Sequence, residues 1–384
     1  MGSIKLLYIP AFFLLIKNGG LKSLFFRTFR TEFSFFAIIF MFVLLRTAMG
    51  GQLIFVWATI VSFIEVVIVP LFVISFLQKK GLNSNDSIVR ALLLVGAVGT
   101  VISMMCLTIP PLNSFVRDNI MHITSDMRAF DHSFRGFGIS ESLSSQYGYI
   151  QGVFVVLGAI YFKNNKWFVY FLPFALLSAF INARTGVIVA AVGIVIYLLY
   201  NRNFFYSIII AAASLLLYTN IESFIGALVP DADTQAWISD FFLQMDSMMD
   251  EGVEGSRQAD ILFGRMFVLP DTPDQWIFGR GISLFRNEIG IDSSDVGFIL
   301  QLNYGGIIYL ILLNSFVLHI VFRLFKNKQK LFAVFFLAVY AILNIKCNYI
   351  LDSGAFRLMM LLYYVMILEK VYLKMSSTTV RTIA

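Results

Sequence analysis

Charge is what this 384-residue chain has least of: Asp, Glu, Lys and Arg make up 14% of it, against about a quarter in soluble domains. Cysteine is nearly absent as well. Cys106 and Cys347 both fall inside apolar runs, which excludes a disulfide scaffold. The three histidines are His122, His132 and His319, and with two cysteines they make a transition-metal site improbable. No P-loop, G-x-S-x-G, H-E-x-x-H or C-x-x-C motif is present. A net charge of +6 is ordinary for a membrane protein and gives no sign of nucleic-acid binding. These absences exclude an ordinary soluble enzyme and a disordered chain.

What the chain has is apolar length. Hydrophobic residues make up 59%, Phe alone occurs 41 times, and mean hydropathy is +0.81. Only helices and closed barrels satisfy the backbone in lipid. Barrel strands would alternate apolar and polar residues. The runs here are unbroken, so the chain reads as an all-α polytopic membrane protein of about 10–12 helices. Spans are expected near 33–49, 53–77, 89–109, 147–162, 167–183, 185–200, 204–219, 296–321, 331–350 and 356–373. Residues 4–16 make a weaker segment, a surface or re-entrant helix. No cleavable signal sequence is expected, because no small-residue cleavage site follows Leu6–Ile16. The chain is read as a single integral membrane domain, 1–384.

Lys and Arg in short loops set the orientation. Lys17, Lys22, Arg27 and Arg30 precede the first strong span, and Lys79 and Lys80 follow the second. Lys163, Lys166, Arg202, Arg323, Lys326, Lys328 and Lys330 then occupy every second connection. All fall on one side if ten spans alternate, which places the C-terminus in the cytoplasm. Two longer loops fall outside, about 110–146 and about 220–295. The second holds 14 of the 23 acidic residues. Its bases are Arg257, Arg265, Arg280 and Arg286; the first loop has Arg117, Arg128 and Arg135, and neither has a lysine. Positive-inside bias accounts for that. So does a need for planar, bidentate contact with an anion. Trp237–Met245 and Ile261–Leu269 show helical apolar spacing and are expected as short amphipathic helices on the membrane surface.

Cations at the outer ends of spans carry the chemical signal. Arg184 sits in Asn182-Ala183-Arg184-Thr185-Gly186, between two spans. Arg46, Lys346 and Arg357 lie near span ends at the same expected depth. Such cations face a cavity or snorkel to lipid phosphates. Glu65 is an acid inside a span: a relay group, a partner for an interior cation, or a hydrogen-bonded carboxyl. The second loop ends in Phe278-Gly279-Arg280-Gly281, then Asp292-Ser293-Ser294-Asp295-Val296-Gly297, then Asn303-Tyr304-Gly305-Gly306. Glycines let Arg280 approach a phosphate closely. Asp295 is a candidate general base for a sugar hydroxyl, or a helix cap, and Asp292 is assigned the cap.

Many spans, an R-T-G turn midway, a large external loop, G-R-G, and an S-D-x-G element leading into a span with G-G: this order resembles the O-antigen polymerase (Wzy-type) and O-antigen ligase superfamily. The resemblance covers roughly 150–320 by motif and the whole chain by topology. It implies a GT-C-like membrane glycosyltransferase, metal-independent and without cofactor, in the bacterial inner membrane. Its substrates would be undecaprenyl-diphosphate-linked oligosaccharide repeat units, polymerised at the outer face into O-antigen or a related surface polysaccharide of the lipopolysaccharide pathway. Membrane lipid, a chain-length regulator and a flippase are the implied partners. Arg184 and Arg280 match the family's diphosphate-binding arginines, with Arg265 and Arg357 as further candidates. Asp295, Arg280 and Arg184 make the expected catalytic set. Ligases of the superfamily carry a His at the end of the large loop; here Asp295 stands near that place, which favours polymerase over ligase. A flippase of the same glycolipids is the competing class.

Overall fold

The computed structural model describes residues 8–17, 19–82, 84–116, 146–162, 164–202, 235, 239, 261–284, 293–348, 350 and 354–383. The described residues are helical and carry no strand. In chain order the helices are α1 (Tyr8–Lys17), α2 (Gly19–Thr28), α3 (Arg30–Ala48), α4 (Ile54–Lys79), α5 (Asn85–Thr108) and α6 (Pro110–Phe115). They continue with α7 (Gln146–Ile160), α8 (Leu172–Asn182), α9 (Arg184–Asn201), α10 (Pro273–Phe278), α11 (Gly297–Lys326), α12 (Lys330–Lys346) and α13 (Gly354–Ile383). Four of them, α3, α4, α5 and α11, are long and apolar enough to cross a membrane, which marks a membrane protein. Helices stand at nine of the ten expected spans; the tenth, 204–219, lies outside the described residues. So do Trp237, the Asp292 cap and most of both long loops.

The chain divides into two compact units, residues 1–88 with 265–384, and residues 89–264. In the first unit α3 shows how a span is built. Its buried residues are Glu32, Phe36, Ile39, Val43 and Arg46, one stripe at helical spacing. The other face exposes Ile38, Met41, Leu44 and Leu45. Glu32 and Arg46 therefore lie on the buried stripe, Arg30 is exposed at the helix start, and the exposed face along the span is apolar, the reverse of a helix in water. That stripe packs antiparallel on α11. Phe36 meets Phe316 at 4.9 Å between ring centroids, and Phe42 stacks on Tyr309 at 5.6 Å. The antiparallel pair puts Arg27 and Arg30 at the same end as Lys326 and Lys328, as the loop charges require.

In α4 a π-turn spans Ile64–Ile68. The extra residue per turn lets four successive side chains, Glu65, Val66, Val67 and Ile68, all be buried.

The second unit is built on α7, buried along Gln146–Gly158 between α8 and α9. Small residues let the backbones approach, with Gly152 against Gly186 and Gly148 against Ala183. Thr100 Oγ1 donates to Gln151 Oε1 (3.0 Å) and Gln151 Nε2 donates to Tyr147 OH (2.8 Å), satisfying the polar groups enclosed there.

Candidate functional site

The G-R-G and G-G motifs are two halves of one structure. At Gly306 α11 leaves helical geometry, with φ 66° and ψ −164°. Breaking the helix frees carbonyls one turn earlier. Those carbonyls are taken by the incoming loop: Arg280 N donates to Asn303 O (2.6 Å) and Gly281 N donates to Tyr304 O (3.0 Å). A side chain at Gly306 would collide with the backbone of Ile277 and Phe278, and its positive φ also excludes one. Asn303 Nδ2 donates to Val268 O at 2.8 Å and holds the other side of the same loop. Backbone that is neither helix nor sheet is thus satisfied inside a membrane helix.

The turn between α3 and α4 closes the third side. Gln52 N donates to Gly281 O (2.7 Å), and Ser283 N donates to Gln52 Oε1 (2.7 Å). Arg46, buried at the end of α3, donates from Nη2 to Gly279 O (3.1 Å) and from Nη1 to Met49 O (3.3 Å). Arg46 therefore does not snorkel; it reaches under the loop. Nothing local in the sequence signals that contact, because its partner is 233 residues away.

Arg280 points into its own loop. Its Nη2 donates to Asp271 Oδ2 (2.9 Å) and Leu269 O (2.7 Å), and its Nε donates to Gln275 Oε1 (3.1 Å). The fork expected to hold an anion is here holding the loop together.

Asp295 is half-buried, two residues before α11. It does not cap that helix: the N-cap position is Val296, whose N–H donates to Ser294 Oγ at 3.2 Å. No partner for the Asp295 carboxylate is found among the described residues. Ser294 N donates to Leu284 O (3.0 Å), so the chain on either side of 285–292 is drawn together beside Asp295.

The remaining candidates are dispersed. Arg265 is exposed at the end of a π-turn, Ile261–Arg265, where an amphipathic helix through Leu269 was expected; residues 267–270 are not helical, and Val268 O is tied to Asn303. Arg357, in the first turn of α13, is ion-paired with Glu65, to which Tyr8 OH also donates (2.5 Å). Glu65 is thus the partner of an interior cation, one of its three readings. Arg184 is the first residue of α9 and belongs to the second unit; the fold of its side chain lies outside the described residues. Its helix starts from the extended residue Ala183, with no side-chain cap. A guanidinium at a helix N-terminus adds to the positive end of the dipole, a costly choice unless an anion is met there.

Sequence reasoning missed one further cluster. Glu32 is fully buried and accepts from Arg323 Nη1 (2.5 Å) and from Tyr363 OH, with His319 Nε2 at 3.2 Å. Arg323 also donates to Thr28 O (2.6 Å). Glu32 and Arg323 both sit at basic span ends, where charge is unremarkable in sequence, so no signal set them apart. Among the described residues no group of His, Cys, Asp or Glu could hold a metal ion. No protein-family model, no curated protein and no solved structure matches the chain.

Proposed function

We propose that this protein is a membrane glycosyltransferase that polymerises lipid-diphosphate-linked oligosaccharide repeat units at the outer face of a bacterial inner membrane. One observation carries the reading: the G-R-G loop is inserted into a broken helix at the end of a span. Irregular polar backbone at that depth is tolerated only where protein encloses it or water reaches it. A glycosyl transfer between two lipid-anchored substrates needs such a place at headgroup level. The leaving group is a diphosphate, whose growing charge must be met as the glycosidic bond breaks. Arginines can do this without a metal ion. The acceptor hydroxyl needs a base, and the carboxylate of Asp295, with no partner among the described residues, stands beside the loop. In this reading Asp295 takes the proton, and Arg280 keeps the loop in shape while its charge adds to the local field. The order and sidedness of the sequence motifs support the same assignment.

The second reading is a carrier for the same glycolipids, and Glu32 and Glu65 favour it. Ionisable groups inside spans are typical of coupled transport. Each is matched with an arginine, Arg323 and Arg357, as structural pairs are. A carrier also has little use for an outer loop as long as residues 220–295.

Purified protein in liposomes with a defined lipid-linked repeat unit separates the two. The polymerase releases polyprenyl diphosphate and gives a ladder of longer glycans. Movement of unchanged substrate between leaflets, with no ladder, refutes it.

A further inference from the structure

Arg46 is a buried cation whose charge no carboxylate matches among the described residues. Its residue is 9% exposed, and its Nε has no hydrogen-bond partner. A guanidinium presents five N–H donors. Two carbonyls, Gly279 O and Met49 O, are its hydrogen-bond acceptors among the described residues. The carboxylate of Asp271, in the same loop, is taken by Arg280. Burying an uncompensated charge is costly, and native folds pair it. Here the turn above the guanidinium is shaped to leave it room. A Cβ on Gly281 would lie 2.7 Å from Arg46 Nη2 and 2.8 Å from its Cζ. Gly281 also has φ +75°. Glycine is thus required where the loop crosses the cation.

We propose that Arg46 and the Gly279–Arg280–Gly281 turn form a phosphoryl-anion site whose ligand is a lipid-borne diphosphate. Arg46, not Arg280, supplies the guanidinium that the fold leaves unmatched. Arg280 is the brace: tied to Asp271, Leu269 and Gln275, it fixes the turn under which the anion sits. This rests on the polymerase reading for the identity of the lipid but not for the existence of the site. The chemistry fits a headgroup phosphate of ordinary phospholipid as well, and the experiment separates the two.

The test uses full-length protein in phosphatidylcholine nanodiscs. Geranylgeranyl diphosphate is titrated against wild type and Arg46→Lys, with geranylgeraniol, inorganic pyrophosphate and phosphatidylglycerol as comparison probes. Lysine keeps the charge and loses the fork. Arg46→Lys should bind geranylgeranyl diphosphate about tenfold more weakly or worse, the scale of one charge-assisted hydrogen bond. Its thermal stability without ligand should stay close to wild type. Wild-type affinity in Arg46→Lys, or equal binding of geranylgeraniol, overturns the proposal. Competition by phosphatidylglycerol on equal terms gives the site to bulk lipid and overturns the diphosphate assignment. Inorganic pyrophosphate should compete weakly, and its failure to compete at any concentration overturns the phosphoryl site. If Arg46→Lys does not fold, a cryo-electron microscopy structure of wild type with geranylgeranyl diphosphate decides. A phosphoryl oxygen within hydrogen-bond reach of Arg46 Nε is expected, and a diphosphate held elsewhere overturns the site. Arg46-dependent binding in a protein that lengthens no glycan would keep this site and remove the polymerase. Polymerisation with undiminished binding by Arg46→Lys would do the reverse.

Discussion

Glu32 shows how little a residue's sequence neighbourhood says about its burden. It is fully buried yet accepts from groups on two other helices, Arg323 and His319 on α11 and Tyr363 on α13. Removing one partner of such a pair strands the other charge, at a cost of about 3 kcal/mol. Glu32→Ala should therefore lower stability by about that amount in thermal or denaturant unfolding in detergent. The double variant Glu32→Leu with Arg323→Met should recover most of the loss, because an apolar pair of similar volume leaves no charge behind. A double variant as unstable as Glu32→Ala would show that the charges contribute more than their own mutual compensation. At Asp295 the expected effect is on rate. Asp295→Asn keeps the shape and should fold normally, yet should lose about 100-fold or more in glycan lengthening. A near-wild-type glycan ladder would end the base assignment. The sequence pointed at Asp295 by its place next to a span, but left base and cap open. The structure disfavours the cap, since Val296 holds the N-cap position of α11 and no side chain makes a capping hydrogen bond there.

Among the elements, α11 departs furthest from a plain span. Its first turns end at a break, and the break is the docking point for the loop that contains α10. Gly306→Ala meets both a positive φ and the backbone of Ile277. The variant should lose about 1–3 kcal/mol, and limited proteolysis within 265–284 should accelerate as the loop detaches. An unchanged cleavage rate would mean that the loop is held by something other than the broken helix. The paired glycines at Gly305–Gly306 were legible as a place of close approach. What approaches was not, because the pairing joins residues about two dozen positions apart through backbone groups that carry no side-chain identity. The π-turn in α4 was invisible for a similar reason: Ile64–Ile68 is apolar on every side, and an uninterrupted apolar run has no period to shift.

At the scale of the whole molecule the prediction is topological. The ends of α3 and α11 that carry Arg27, Arg30, Lys326 and Lys328 lie together, and the ends that carry Arg46 and Arg280 lie together. With Cys106 and Cys347 replaced, a cysteine at Ser293 should react with a membrane-impermeant maleimide from outside. One at Lys328 should react only after permeabilisation. The opposite pattern would invert the protein and remove its reaction site from the outer face. The same experiment at Asp250 reports on the large loop.

By itself the sequence determined that the chain is helical and belongs in a membrane, because about 20 apolar residues in a row leave the backbone no other solution in lipid. It also located the four helices long and apolar enough to cross a membrane, since apolar length depends on local composition alone. Only the tertiary structure decided which cations are neutralised. Arg357 and Arg323 meet carboxylates on other helices, Arg280 is held within its own loop, and Arg46 is left under a glycine turn with carbonyls as its only described partners. The physical reason is that a buried charge is stabilised by whatever lies within a few ångströms, and in a bundle of spans that neighbour comes from a distant part of the chain.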